Sequence, residues 1–447
     1  MHLDLCVRVL YCVIMIRFDE ENRTVKKEEC RAVLAGIDLG NGTKDGAGSI
    51  EHSMAELEGL AEAAGADVIG VMIQKADRIN PATFLGKGKV EELAQMCQNT
   101  EADTIIFNNE LSGMQIRNLE DMTGMKIVDR TVLVLDIFAS RATSREGRLQ
   151  VELAQLKYRM PRLMGFGKAL SRLGGGIGTR GPGEKKLETD RRHIARRMDD
   201  IEAEIRHIKA TREVQRAKRK KTGIPVVALV GYTNAGKSAL MNRLLGEAGR
   251  QDKQVFSEDM LFATLDVRQR RVEREKGKSF VLTDTVGFVS DLPHALVNAF
   301  RATLEEVVYA DLLLHVVDAS YEDYDFQIDV TESVLKELGA DGKDTVIVYN
   351  KVDVVREELI DASGREHIYV SAKTGYNIES LLEIIDEKLF GGLVEGEFMV
   401  PYDRGDIVSY ICDNGSVLDR EYTESGTKIK AVLSGEAYGK VKGYDTL

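Results

Sequence analysis

The octapeptide GYTNAGKS, residues 231–238, has the spacing G-x-x-x-x-G-K-S and stands between the apolar run VVALV (226–230) and a helical pattern. A strand, a glycine-bearing loop and a helix in that order form a phosphate cradle. Gly231 and Gly236 let the backbone curl, so that the loop N–H groups of Gly231, Tyr232, Thr233, Asn234, Ala235 and Gly236 face the α- and β-phosphates of a nucleotide. Lys237 reaches the β- and γ-phosphates and the Ser238 hydroxyl holds Mg²⁺. Three further stations follow, each after a strand-like run. DTVGF (284–288) comes after SFVLT, and there Asp284 is expected to hold Mg²⁺ through water while the Gly287 N–H senses the γ-phosphate. NKVD (350–353) follows TVIVY. Asp353 can accept from both N1–H and the 2-amino group of guanine, which adenine cannot offer, so the site selects GTP and GDP. Asn350 supports the base edge and the Lys351 stem packs along the ring. SAK, Ser371, Ala372 and Lys373, follows EHIYV and supplies backbone contacts to the base.

Between the first two stations, Thr264 in LFATLD is the candidate threonine that closes on Mg²⁺ and the γ-phosphate. Two readings of Asn234 stand side by side: a ligand for a monovalent cation such as K⁺ beside the phosphates, or a residue chosen for turn geometry. Phe288 occupies the position where many GTPases carry the glutamine that orients the attacking water. A phenyl ring cannot do that. No catalytic residue is therefore certain, and GTP hydrolysis is expected to be slow until a partner or a reordered loop places the water.

The elements that must hold these residues can be read from periodicity. Strand-like runs RAVLAGI, ADVIGVMI, ADTIIFNN and MKIVD alternate with helical SMAELEGLAEAAG, GKVEELAQMCQ and LSGMQIRNLEDMTG between residues 31 and 142, which predicts a small parallel α/β sheet. FLGKGKVEE reads as an ordinary loop-to-helix turn, with an anion at the helix start as the rarer reading. Leu149, Leu153, Leu156 and Met160 form one apolar stripe, and Ile194, Met198, Ile201, Ile205 and Ile208 form a second. Facing each other they predict an antiparallel helical hairpin whose second arm runs to about Lys221, with Pro161 weakening the first arm. An arm of some 30 residues spans ~45 Å. The tail from Glu395 carries short alternating runs, DIVSYI and KIKAVL, around YTESGT, and reads as a small α+β appendage.

The net charge of −12 over 447 residues conceals an asymmetry: between Lys157 and Lys221 there are 20 Lys or Arg against 8 Asp or Glu, a local +12 that leaves −24 elsewhere. One basic element on an acidic body reads as a polyanion contact, against the plainer reading of a solvated helix face. Its centre, LSRLGGGIGTRGPGEKKLETDRR (170–192), lacks the strand before and the Lys-Ser after that a nucleotide loop needs. Eight glycines among residues 165–183, with Lys168, Arg172 and Arg180 between them, fit the tip of the hairpin, ordered against RNA. The five cysteines show no C-x-x-C and predict neither zinc nor a disulfide framework. The start has only eight uninterrupted apolar residues, Val9 to Ile16, too few to span a bilayer.

Four segments, PATFLGKGKVEEL (81–93), SREGRLQVELAQLKY (144–158), SRLGGGIGTRGPGEKKLETDRRHI (171–194) and DTVGFVSDLPHALVNAFRATLEE (284–306), together resemble the HflX-type ribosome-associated GTPases, a family of translation-factor-related P-loop GTPases. The resemblance covers roughly residues 31–390. Lys185 stands where a threonine is usual, and the stretch before Arg31 matches nothing in the family. The implied fold is α/β: an extension (1–30), an N-terminal α/β domain (31–145), a basic helical hairpin with a Gly/Arg-rich tip (146–222), a Ras-like GTPase domain (223–392) and a small α+β C-terminal domain (393–447). The resemblance further implies GTP-dependent binding to the large (50S) ribosomal subunit and splitting of stalled ribosomes, with assembly of precursor particles or RNA remodelling as the alternative. The expected rRNA contacts are Lys168, Arg172, Arg180, Lys185, Lys186, Arg191 and Arg192. Mg²⁺ is the expected cofactor and K⁺ a further candidate. A cytoplasmic monomer without a membrane span is expected, its association with the membrane periphery left open.

Overall fold

A computed structural model of the chain describes residues 30–40, 49–170, 182–221, 224–247, 268–274, 278–290, 304–321, 323–355 and 364–446. The first unit alternates β1 (Cys30–Asp38), α1 (Ile50–Ala63), β2 (Ala66–Lys75), α2 (Lys87–Thr100), β3 (Thr104–Phe107), α3 (Gly113–Thr123), β4 (Lys126–Asp129) and α4 (Arg130–Arg141). Its strands lie parallel in the order β2-β1-β3-β4. Helices cover both faces of a parallel sheet, so β1 buries six consecutive residues, Ala32 to Ile37, without alternation. Local signals set the helix ends. The Ser49 hydroxyl accepts from the His52 N–H at the start of α1, and Ser112 with Gln115 forms a reciprocal capping box on α3. Gly86 opens α2 with its N–H on Gln74 Oε1 at 2.9 Å, the loop-to-helix turn expected of FLGKGKVEE.

Two long helices follow, α5 (Arg145–Leu170) and α6 (Pro182–Lys221), packed against each other. The predicted stripes meet: Leu149, Leu153 and Ile201 are buried together, with Leu156, Met198, Ile205 and Ile208 packed around them. With 40 residues, α6 spans ~60 Å, longer than the ~45 Å expected. Pro161 lies inside α5 without ending it. In that turn the Arg162 Nη1 donates to the Tyr158 carbonyl at 2.9 Å. Ion pairs lace the two arms, Arg197 to Glu152, Lys157 to Glu202 and Arg212 to Glu146 at 2.7 to 2.8 Å. Most are solvent-exposed and contribute little individually.

The next unit contains β5 (Val226–Val230), α7 (Lys237–Glu247), β6 (Arg268–Glu273), β7 (Ser279–Asp284), β8 (Leu312–Asp318), α8 (Tyr324–Leu338), β9 (Thr345–Asn350), β10 (His367–Tyr369) and α9 (Ile378–Phe390). Its six strands run in the order β10-β9-β8-β5-β7-β6, parallel except for β6. β5 sits centrally, and the loop after it is flanked by the ends of β7, β8 and β9. The last unit is an antiparallel sheet, β11 (Leu393–Val400), β13 (Gly426–Ser434) and β12 (Gly415–Thr423) in that order, with α10 (Gly405–Asn414) and α11 (Gly435–Val441). This corrects the reading of DIVSYI as an alternating run, because residues 406–411 form part of α10. Ile407, Val408 and Ile411 fall on one helical face, and they join the core of that sheet. A single buried cluster joins the first unit to the third, running from Leu57, Leu60, Val134 and Phe138 to Val230, Val286, Phe288, Val289 and Val307. The two units are thus packed on one apolar core.

Candidate nucleotide site

β5 ends in the loop 231–236, whose conformation requires its glycines. Gly231 has φ 142° and Gly236 φ 90°, and a Cβ on Gly231 would strike the Val316 carbonyl. Asn234 is exposed at φ 59°, in the left-handed region that asparagine tolerates, so both readings of it remain compatible with the backbone. Ala235 is fully buried and hands its carbonyl to the Asn350 Nδ2 at 2.9 Å. Lys237, the first residue of α7, folds its ammonium back over the loop onto the carbonyls of Gly231 (3.0 Å) and Tyr232 (2.6 Å). Burial lowers its pKa to about 8, while Asp284 acts in the opposite direction. An ammonium in so dry a place is poised to take an anion, whose charge would restore its proton affinity.

The Ser238 Oγ donates to Asp284 Oδ2 at 2.6 Å, which brings together the two predicted magnesium groups from α7 and β7. A hydroxyl beside a fully buried carboxylate is the hard-oxygen donor pair that Mg²⁺ prefers, so the residues fit the ion. Such an ion would neutralise charge between the β- and γ-phosphates. Past Asp284, the Thr285 Oγ1 anchors the turn on the Leu229 carbonyl at 2.6 Å. Gly287 lies so close to the loop that a Cβ would stand 2.7 Å from Thr233 Cα and 3.0 Å from Lys237 Nζ. Phe288 is bonded to the loop backbone in both directions: its carbonyl accepts from the Thr233 N–H (2.7 Å) and its N–H donates to the Gly231 carbonyl (3.2 Å). Its ring is 2% exposed and belongs to the core shared with the first unit. The side chain in the water-orienting position therefore points into packing. Thr264 lies outside the described residues.

The groups expected to recognise the base converge from two loops. Asn350, at the end of β9, accepts the Ala372 N–H at 3.0 Å on the same amide that holds Ala235, so one side chain ties the phosphate loop to the SAK loop. Ser371 donates to Asp353 Oδ1 at 2.7 Å and accepts the Thr374 N–H at 3.1 Å. Lys351, at φ 66°, pairs with Asp318 at 2.7 Å, and Lys373 is exposed beside them. Asp353 remains exposed at the rim, where a purine edge can reach it. Of the expected RNA contacts, Arg191 and Arg192 are exposed on α6. Arg172, Arg180 and the side chains of Lys168, Lys185 and Lys186 lie outside the described residues.

Sequence reasoning missed one group of residues. Tyr232 reaches out of the loop to Glu56 of α1, and Ser290, just past Phe288, meets Glu56 and Arg130. No local pattern marks them. Glu56 reads as one more polar position of an amphipathic helix, and only the charge of Arg130 within the apolar run IVDRTVLVL hints at a buried partner.

A central strand followed by a Lys-Ser loop, with the buried Asp284 carboxylate beside it and the NKVD and SAK loops converging on it, defines a P-loop GTPase. Family models match the chain almost end to end: "GTP-binding GTPase N-terminal" over residues 51–139, "GTP-binding GTPase Middle Region" over 141–219, "50S ribosome-binding GTPase" over 226–351 and "HflX C-terminal domain" over 359–437. The GTPase HflX of Caldanaerobacter subterraneus subsp. tengcongensis is 50% identical over 394 residues, covering 88% of this chain and 90% of the relative. That of Escherichia coli K12 is 40% identical, with 79% and 83% covered. The chain belongs to the GTPase HflX family, and it is a GTP hydrolase. Among solved structures, a GTP-binding protein from Sulfolobus solfataricus in complex with GDP is 23% identical, with 80% of this chain and 98% of that one covered and a TM-score of 0.42.

Proposed function

We propose that the chain binds the large (50S) ribosomal subunit in its GTP form and splits stalled or idle ribosomes, with hydrolysis releasing it. The observation that carries this reading is the placement of the basic hairpin. Its arm α6 carries 14 Lys or Arg against 8 Asp or Glu of the +12 segment, and in its C-terminal third Lys209 pairs with Glu305, which lies in the helical residues 304–309 that follow the DTVGF segment. RNA phosphates held by Lys168, Arg172, Arg180, Lys185, Lys186, Arg191 and Arg192 would bear on the same element that leads back to Gly287. The buried Phe288 ring supports slow hydrolysis by the free protein, with the ribosome or a reordered loop placing the water. Ser238, Thr264 and, through water, Asp284 hold Mg²⁺ in this reading, and K⁺ at Asn234 stands beside the turn-geometry reading of that residue. The protein works as a monomer in the cytoplasm. Among the described residues, no helix is long and apolar enough to cross a membrane.

The test is a sucrose gradient of 70S ribosomes incubated with the protein and GTP. Conversion to subunits is the expected result. Comigration with precursor particles while 70S remains intact would replace splitting by an assembly role.

A further inference from the structure

The contacts that sequence reasoning missed form a closed buried network between the N-terminal unit and the nucleotide site. Glu56 Oε1 accepts the Tyr232 hydroxyl, and Glu56 Oε2 accepts both the Ser290 hydroxyl and the Arg130 guanidinium. Arg130, 3% exposed, also donates to the Ser290 carbonyl at 3.1 Å, to the Ser290 Oγ at 3.0 Å and to Asn108 Oδ1 at 2.9 Å. Asn108 is held in turn by Ser53, at 2.8 Å. The Ser290 N–H donates to the Tyr232 hydroxyl at 2.7 Å, so the backbone N–H and C=O of Ser290 and its side chain are all fixed from one side.

The two residues gripped in this way are not arbitrary. Tyr232 is the second residue of the phosphate loop, and its carbonyl carries the Lys237 ammonium. Ser290 lies three residues past Gly287, whose N–H is the expected sensor of the γ-phosphate. The segment between is pinned at one end by β7 and the bond from Thr285 to Leu229, and at the other by Ser290. Replacing a buried ion pair by apolar side chains is commonly neutral or favourable for stability, so packing the two units together gives no reason for charges here. Placement does. A displacement of about 1 Å at a reacting centre can cost about a hundredfold in rate.

We infer that Glu56 and Arg130 are positioning residues for GTP hydrolysis, acting on the phosphate loop through Tyr232 and on the Gly287–Phe288 segment through Ser290. The inference rests on GTP hydrolysis alone and not on the ribosome reading.

The experiment uses the full chain without ribosomes, comparing wild type with Glu56→Gln, Tyr232→Phe and the double variant, and with Ser290→Ala as a milder change should Glu56→Gln fail to fold. Measured are kcat and KM for GTP, the Kd for GDP and the melting temperature. Glu56→Gln is expected to lower kcat about tenfold and Tyr232→Phe about threefold, with KM and the GDP Kd within about threefold of wild type. The double variant should be no worse than Glu56→Gln, because Tyr232 acts through the same carboxylate. If Glu56→Gln does not fold, a Ser290→Ala loss of several-fold in kcat at constant KM supports the inference. An unchanged kcat with a lowered melting temperature would reduce the network to packing. A raised kcat, parallel losses in KM and GDP affinity, or additive effects in the double variant would equally overturn it.

Discussion

Replacing Asp353 by asparagine tests the reading of the base site with little disturbance of the fold. The carboxylate sits at the exposed rim, with Oδ1 accepting the Ser371 hydroxyl at 2.7 Å. An asparagine side-chain oxygen can accept that same hydroxyl, and the Thr374 N–H on Ser371 is untouched, so the loop should survive and the melting temperature should hold within ~2 °C. What changes is the face offered to guanine. A carboxylate accepts from N1–H and from the 2-amino group, whereas an amide turns at least one N–H toward a donor. Hydrogen bonds to a charged partner are worth ~1.5–3 kcal/mol each. Losing one or both of them weakens GTP binding by ~1.5–6 kcal/mol, or about 10- to 10⁴-fold. Xanthine carries a carbonyl in place of the 2-amino group, so the amide N–H gains a partner and XTP should bind more tightly to the variant than to wild type. Titration with fluorescent GTP, competed by unlabelled GTP, XTP and ATP, measures both effects. A GTP affinity within about threefold of wild type would refute the placement of the base at Asp353.

Three further outcomes follow from the same geometry. Ser238→Ala removes the hydroxyl that meets Asp284 at 2.6 Å, and GTP hydrolysis should fall about a hundredfold or more. EDTA should reduce wild-type hydrolysis to the variant's rate and leave the variant unchanged; equal sensitivity of both would place the metal elsewhere. His315, fully buried in β8, is held to a pKa of about 3 by burial and by the charges of Arg365 and Lys237. Its folded value lies below its ordinary 6.5, so its contribution to stability is whole above pH 6.5 and is lost as the pH falls toward 3. Between about pH 7.5 and 5 this group alone should remove ~2 kcal/mol, and His315→Leu should flatten the denaturation profile by that amount; an unchanged slope would contradict it. Ile201, fully buried between the hairpin arms, should cost ~2–5 kcal/mol as alanine. Circular dichroism melts should then show early loss of helix with nucleotide affinity preserved, and a coincident loss of GTP binding would mean that the hairpin and the GTPase unit unfold together.

Much of this molecule could be read from residue types because its chemistry depends on short segments. Asp284 and Asn350 end strands, Gly231 and Asp353 lie in the loops just beyond them, and Lys237 and Ser238 open the helix after the phosphate loop, so local sequence fixes the backbone at each. The hairpin was legible for the same reason, since the stripes at Leu149, Leu153 and Ile201 follow helical periodicity. DIVSYI was misread because six residues satisfy a helical and an alternating pattern alike, and the choice fell to tertiary packing of Ile411. The bonds joining Glu56, Arg130, Tyr232 and Ser290 were not legible at all. They link positions up to 234 residues apart, and nothing near Glu56 distinguishes it from a solvated glutamate.

The central claim is that nucleotide state governs engagement of the large subunit through the basic hairpin, and co-sedimentation of the full chain with purified 50S subunits tests it most directly. With a non-hydrolysable GTP analogue the protein should pellet with the subunits, and binding should weaken ~10³-fold between about 50 and 200 mM salt as phosphate contacts are screened. With GDP it should remain largely in the supernatant. Equal pelleting with GDP and with the analogue, or binding indifferent to salt, would contradict the account.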